Sequence, residues 1–174
     1  SIVHNNLKDM KDVLTYSLQY QKGAWVLHML RNYIGEDNFR KGIRNYYKKY
    51  YNSTTTTNQF KTEMEVVSGM NLDTFFDQWL YKGGNMVLDG NWKFDEKKGR
   101  IEVNLNQVQN DGYLFEMPVE LGISYNDKNL EKIQTVKLEK EKGRFYIASD
   151  SKPISIKIDP NTKLLAIWDF NEIK

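Results

Sequence analysis

Cysteine is missing altogether from this chain of 174 residues, and proline occurs only three times. Without cysteine there can be no disulfide, thiolate metal site or cysteine nucleophile, while a reducing and an oxidising compartment both remain allowed. Localisation therefore stays open between cytoplasmic and extracytoplasmic. An excess of one charge is missing too, since 25 basic against 23 acidic residues leave +2. That is too small for the extended positive field of nucleic-acid-binding proteins. No apolar run approaches the roughly 20 residues that span a bilayer, and Ser1 to Leu7 lack a basic segment followed by an apolar signal core. The expectation is no nucleic-acid partner and no membrane segment. Histidine is scarce: His4 and His28 are far apart and neither is followed by glutamate, so two ligands one helical turn apart with an intervening general base are not available. No metal ligands are expected in this chain. A Gly-x-Ser-x-Gly elbow and a glycine-rich nucleotide fingerprint are also lacking.

What is there has the balance of a globular protein, 40% hydrophobic and 28% charged. The length allows one substantial core or two small ones. From Leu14 to Tyr81 the apolar spacing is helical. Ala24, Leu27, Leu30, Tyr33 and Ile34 mark one stripe of a helix expected from about Ser17 to Tyr33, which Gly35 ends. A second helix fits Glu36 to about Tyr51, with Phe39, Ile43, Tyr46, Tyr47 and Tyr50 on one face and Arg40, Lys41, Arg44, Lys48 and Lys49 on the rest. Glu36 and Asp37 suit its positive N-terminal end. Thr56 with Gln59 reads as a capping box for a third helix that Gly69 closes, and Asn71 as the cap of a fourth running to about Tyr81.

Beyond Gly83, Gly84 and Asn85 the period becomes two. Ile101, Val103 and Leu105, then Val119, Leu121 and Ile123, then Ile154, Ile156 and Ile158, alternate with polar or small residues. Turn chemistry at Asp95 to Gly99, Asn110 to Gly112, Asn126 to Asn129, Lys142-Gly143 and Asp159 to Asn161 separates about seven short strands. The expected class is α+β: a helical bundle over residues 1–84, then an antiparallel, immunoglobulin-like β-sandwich over residues 85–174.

The segment Tyr20-Gln21-Lys22-Gly23-Ala24 through Arg31 resembles the Tyr-x-Lys-Gly-Ala helix of the aminopeptidase N family of zinc metallopeptidases, which includes leukotriene hydrolase. The likeness continues through Ile34 to Phe39, Gly42, Tyr46 and the Phe75-Phe76-Asp77-Gln78-Trp79-Leu80 block. It resumes at Gln107-Val108-Gln109, Phe115 to Leu121 and Ile158-Asp159-Pro160-Asn161. The resemblance implies that residues 1–84 are the rear, helical half of a thermolysin-like catalytic domain. It also implies that Tyr20 is the catalytic hydroxyl, stabilising the oxyanion formed when zinc-activated water attacks a peptide carbonyl. A phenol suits that task because it is a neutral donor at neutral pH.

On the same reading the zinc site belongs to the full-length parent, upstream of Ser1, with peptide N-termini as substrate and the missing N-terminal part of the catalytic domain as partner. This chain alone is then expected to be inactive. The family's prolines at the domain exit are replaced here by Gly83-Gly84-Asn85-Met86.

Other readings attach to single residues. A helix lysine such as Lys22 is usually solvated or paired. Gly23 and Ala24 let another segment come close, and His28 suits helix packing. The tyrosine and lysine run from Tyr46 to Tyr51 fits partly buried rings beside solvated lysines. Trp92 and Trp168 are the residues on which a non-catalytic sandwich could bind carbohydrate or a protein partner, if both rings lie exposed side by side.

Overall fold

The chain divides into two compact units, Ser1–Gly83 and Gly84–Lys174. The computed structural model describes residues 2, 20–110, 112–126 and 131–173. His4, the expected helix start at Ser17, and parts of two expected turns, Asp111 and Asp127 to Asn129, lie outside the described residues.

In the first unit, residues 20–22 form a π-helical turn that runs directly into α1 (Gly23–Ile34). Gly35 at φ 88° separates it from α2 (Glu36–Lys49), because that backbone angle is open to glycine at little cost. The break leaves carbonyls at the end of α1 without helical partners, and Asn38 Nδ2 donates to one of them, Ile34 O, at 2.8 Å. Then α3 (Thr57–Ser68) opens on the expected capping box: Gln59 N–H donates to Thr56 Oγ1 at 3.3 Å and Thr56 N–H to Gln59 Oε1 at 2.8 Å. Gly69 closes it in the left-handed conformation. The last helix, α4 (Asp73–Phe76), widens into a π-helical segment, Asp77–Tyr81. Its N-cap is Leu72 rather than Asn71, whose Oδ1 still accepts from Asp73 N–H at 3.0 Å.

The bundle core differs from the expected stripe. Val26, Met29, Leu30 and Ile34 are the buried residues of α1, whereas Leu27 is 44% exposed. They join Met64, Leu72, Phe75, Phe76 and Trp79, with Tyr33 stacked on Phe75 at 5.5 Å between ring centroids. The face of α2 differs in the same way. Ile43 and Tyr47 are exposed, and Gly42 is its one fully buried residue. A Cβ there would stand 2.5 Å from Met64 Sδ, so the glycine allows α2 to meet α3 at close range.

The second unit holds seven strands among the described residues: β1 (Met86–Asp95), β2 (Arg100–Gln107), β3 (Met117–Ser124), β4 (Glu131–Leu138), β5 (Lys142–Ala148), β6 (Ser155–Ile158) and β7 (Ala166–Glu172). They form a four-stranded sheet, β5-β2-β1-β7, and a three-stranded sheet, β4-β3-β6. All pairings are antiparallel except β1 with β7, so the sandwich is antiparallel with one parallel edge. Period-two alternation puts Ile101, Val103 and Leu105 of β2, and Val119, Leu121 and Ile123 of β3, at 0–1% exposure. Ile154 lies outside β6 and is exposed.

Lys142-Gly143 proves to be the start of β5, not a turn. Gly143 pairs with Leu105, and a Cβ on it would lie 2.7 Å from Leu138 Cδ1 and from Phe145 Cε2. The turn consists of residues 139–141 instead.

Side-chain amides fasten the loop after β2. Gln107, 4% exposed, donates to Phe115 O at 2.8 Å and accepts from Phe115 N–H at 2.8 Å, while Gln109 Nε2 reaches Gln107 Oε1 and Tyr113 O. At the other end Asp159, at φ 50°, accepts from the N–H groups of Lys163 and Leu164 at 2.8 and 2.9 Å.

Gly90 has a sharper packing requirement than either loop. A Cβ there would sit 2.5 Å from the Asn104 carbonyl oxygen and 3.0 Å from Phe170 Cδ2. Gly90→Ala is expected to destabilise the sandwich by about 1–3 kcal/mol, the usual range for overpacking. A urea titration followed by amide resonances of β1 and β2 measures this, and an unchanged midpoint would show that the backbone yields freely.

Candidate functional site

Tyr20 stands in the π-helical turn at the head of α1, and its side chain is 60% exposed. Steps of four and three carry its stripe to Ala24 and Leu27, which adjoin the buried residues, since Leu30 follows Leu27 by three positions and Ile34 by seven. The stripe borders an open cavity of ≈ 610 Å³. Its apolar wall includes Leu27, Leu30, Phe60, Phe76 and Leu80, and Thr55, Thr56 and Thr57 add a hydroxyl-bearing edge. That edge is tied down: the Tyr46 hydroxyl hydrogen-bonds Thr55 Oγ1, and Thr56 is held in the capping box. Tyr46 in turn meets Phe60 edge-on at 5.2 Å. Ile2 also borders the cavity and donates its N–H to Leu80 O at 3.0 Å.

Chemically the groove offers apolar contact, threonine hydroxyls and two phenols, of which that of Tyr46 is engaged with Thr55. Gly23 is open toward it, with no described atom within 4 Å of where a Cβ would be. Thus no described segment uses the close approach that Gly23 and Ala24 allow. Lys22 is 8% exposed and does not line the cavity. His28 is an exposed packing residue: its ring meets Trp25 edge-on at 5.4 Å and lies 3.3 Å from Asn32 Nδ2.

Among the described residues no group of three or more His, Cys, Asp or Glu side chains could hold a metal ion. These residues therefore do not fit a zinc centre. No helix among them is long and apolar enough to cross a membrane. In the second unit Trp92 is 3% exposed within β1, whereas Trp168 on β7 is 42% exposed and lies opposite Leu88 in register. The two tryptophans do not form the paired exposed platform required for the binding-module reading.

The family resemblance directs sequence reasoning to Tyr20, while the residues that line the groove beside it, Phe60, Phe76 and Leu80 among them, emerge only from the packing of α3 and α4. The available signal is the spacing of Tyr20, Ala24 and Leu27, which helical periodicity alone merges with the buried stripe.

Residues 2–79 match the model of the Peptidase family M1 domain. The chain is 31% identical over 142 residues to "Probable aminopeptidase 2" of Sulfurisphaera tokodaii, covering 82% of this chain and 17% of that protein. To "Aminopeptidase N" of Lactococcus lactis it is 26% identical over 104 residues, or 59% of this chain and 12% of that one. The fold matches the crystal structure of Legionella pneumophila aminopeptidase A in complex with aspartic acid with a TM-score of 0.83 at 15% identity, over 97% of this chain and 20% of that chain. The chain thus spans a fifth or less of the length of these relatives.

If the groove is open apolar surface, it should take up a hydrophobic reporter dye such as ANS. Leu27→Glu is expected to cut the dye's fluorescence enhancement severalfold while leaving the melting temperature nearly unchanged, because surface substitutions usually cost within about 0.5 kcal/mol. Equal dye binding by the variant would place the apolar surface elsewhere.

Proposed function

Since the chain belongs to the M1 aminopeptidase family, a family of peptide hydrolases, we propose that it is part of a longer zinc-dependent aminopeptidase that releases N-terminal residues from peptides. In this reading residues 1–84 are the helical C-terminal part of the catalytic domain, and residues 85–174 are the following β-sandwich domain. The observation that carries it is Tyr20, exposed at the mouth of an open apolar groove within the block that matches the family domain.

Tyr20 is the proposed oxyanion stabiliser. A phenol aimed at the oxygen that gains charge in the transition state lowers the barrier without itself changing charge. Its value depends on being held in advance, and the support lies in the chain's own packing: the turn that bears Tyr20 continues into a helix anchored by Met29 and Leu30, at 1% and 0% exposure.

The groove is the proposed seat of the N-terminal part of the catalytic domain. Open space at Gly23, the exposed Leu27 and the threonine edge support this assignment, because each leaves room or contact for a further segment. The zinc assigned to the full-length parent has no ligand set among the described residues. This chain's proposed contribution is consequently the donor, one wall of the cleft and the scaffold behind it.

In the full-length enzyme, Tyr20→Phe is expected to lower kcat by roughly 10²–10³-fold, as for loss of one preorganised oxyanion donor, with zinc content unchanged. Steady-state kinetics with an aminoacyl anilide and metal analysis of the same preparation test this, and an unaltered kcat would remove Tyr20 from the reaction. The purified 174-residue chain is expected to show no turnover and no stoichiometric zinc. Either result in the opposite sense overturns the assignment of the metal site to another part of the protein.

A further inference from the structure

The corner between α1 and α2 carries a second cluster that the peptidase reading does not use. Arg31, in the last turn of α1, donates through Nε to Glu36 Oε2, and Arg40, one turn into α2, donates through Nε to Glu36 Oε1. First the Arg40 and then the Arg31 hydrogen bond holds the Glu36 carboxyl below its ordinary range. Glu36 thus clamps two guanidinium groups from different helices.

Each of those bonds uses one N–H of a group that has five. Among the described residues neither guanidinium makes another hydrogen bond or ion pair, and Arg44 makes none at all. Arg44 stands one turn beyond Arg40 on the same side of α2. The three arginines, Glu36, Phe39 and Ile43 surround an open cavity of ≈ 340 Å³. Three guanidinium groups face Glu36 in the cavity wall and Asp37, whose charge also acts on Arg40, which leaves one positive charge in excess. The apolar part is accessible, since Ile43 is 38% exposed and Phe39 only half-buried.

We propose that this corner is a docking site for an acidic polypeptide segment, with a partner carboxylate caught by Arg40 and Arg44 and a neighbouring apolar side chain laid over Phe39 and Ile43. The guanidinium fork matches a carboxylate through two parallel N–H···O bonds. Because Glu36 already fixes Arg31 and Arg40, binding immobilises fewer free rotamers. The apolar floor distinguishes this partner from a phosphate polyanion, which would leave Phe39 and Ile43 uncovered. Glu36 points the same way, for a carboxylate inside the cluster repels a densely charged strand more than a peptide carrying one or two acids. The site is independent of Tyr20 and of any activity.

The test uses the 174-residue chain and a fluorescein-labelled, acetylated decapeptide of alternating glutamate and leucine, titrated by fluorescence anisotropy at low salt. The expected result is binding at least about tenfold tighter than that of the same peptide with glutamine for glutamate, the scale of one charge-assisted bidentate contact. Arg44→Glu is expected to weaken the glutamate peptide by about tenfold or more, and Arg44→Lys by less, because lysine keeps the charge without the fork. Lys97→Glu, the same charge change in the other unit, should leave affinity unaltered. As a check that needs no variant, peptide addition should shift amide resonances of residues 31–44. Equal binding of the glutamine peptide, undiminished binding by Arg44→Glu, equal weakening by Lys97→Glu or shifts confined elsewhere would each overturn the proposal. So would displacement of the peptide by a single-stranded oligonucleotide or inorganic phosphate at lower concentration than by unlabelled peptide.

Discussion

Burial of one face of α1 is the constraint on which the first unit depends. Met29 and Leu30 are at 1% and 0% exposure, flanked by Val26 and Ile34 at 4%, and each such side chain contributes about 1.5–3 kcal/mol when taken out of water. A helix held this way cannot rotate about its axis, because a turn of about 100° would exchange core residues for the surface stripe. The direction of Tyr20, Ala24 and Leu27 is therefore settled by the residues packed into the core. The same anchoring holds Arg31 at the far end of the helix, where Glu36 joins it to α2. Core packing and site geometry are in this sense one problem.

The sandwich solves a different problem, that of keeping irregular segments in one conformation. The loop after β2 has backbone groups that no strand pairs, and Gln107 satisfies both the N–H and the C=O of Phe115 with a single buried amide. Asp159 does similar work for the N–H groups of Lys163 and Leu164. Buried polar groups are costly unless paired, so these two residues specify the loops more narrowly than any apolar contact could. Their place in the stretches that resemble the family's sandwich has a physical basis.

Features governed by local rules are the most legible in the sequence. The capping box at Thr56 and Gln59, the glycine stop at Gly69 and the alternation in β2 and β3 depend on neighbours a few residues apart. Features set by tertiary contact are not. Ala24, Leu27, Leu30 and Ile34 satisfy helical spacing equally well, and spacing cannot say which of two adjacent faces meets the core. Gly143 reads as a turn because glycine favours turns, yet its role is to admit Leu138 and Phe145 beside a strand. The parallel pairing of β1 with β7 is invisible to a period of two, which is the same for either direction. Tyr20 is legible only through family resemblance, since one tyrosine among eleven has no local signature, and the groove beside it requires knowing where α3 and α4 pack.

Tyr20 and Arg31 are eleven residues apart on one helical rod, or about 16 Å at roughly 1.5 Å per residue. That separation exceeds the roughly 7–10 Å over which substitutions usually interact. The two surfaces also have opposite physical characters: an apolar groove with a neutral phenol at one end, and a clamped cluster of cations at the other. An acidic segment seated at Arg40 and Arg44 would leave the apolar groove free. Anchoring of α1 by a shared core makes both surfaces rigid, but it gives no means for one to alter the other short of unpacking Met29 and Leu30. Coupling between them would require α1 to possess a second packed position, and the tight enclosure of those two side chains argues for a single one.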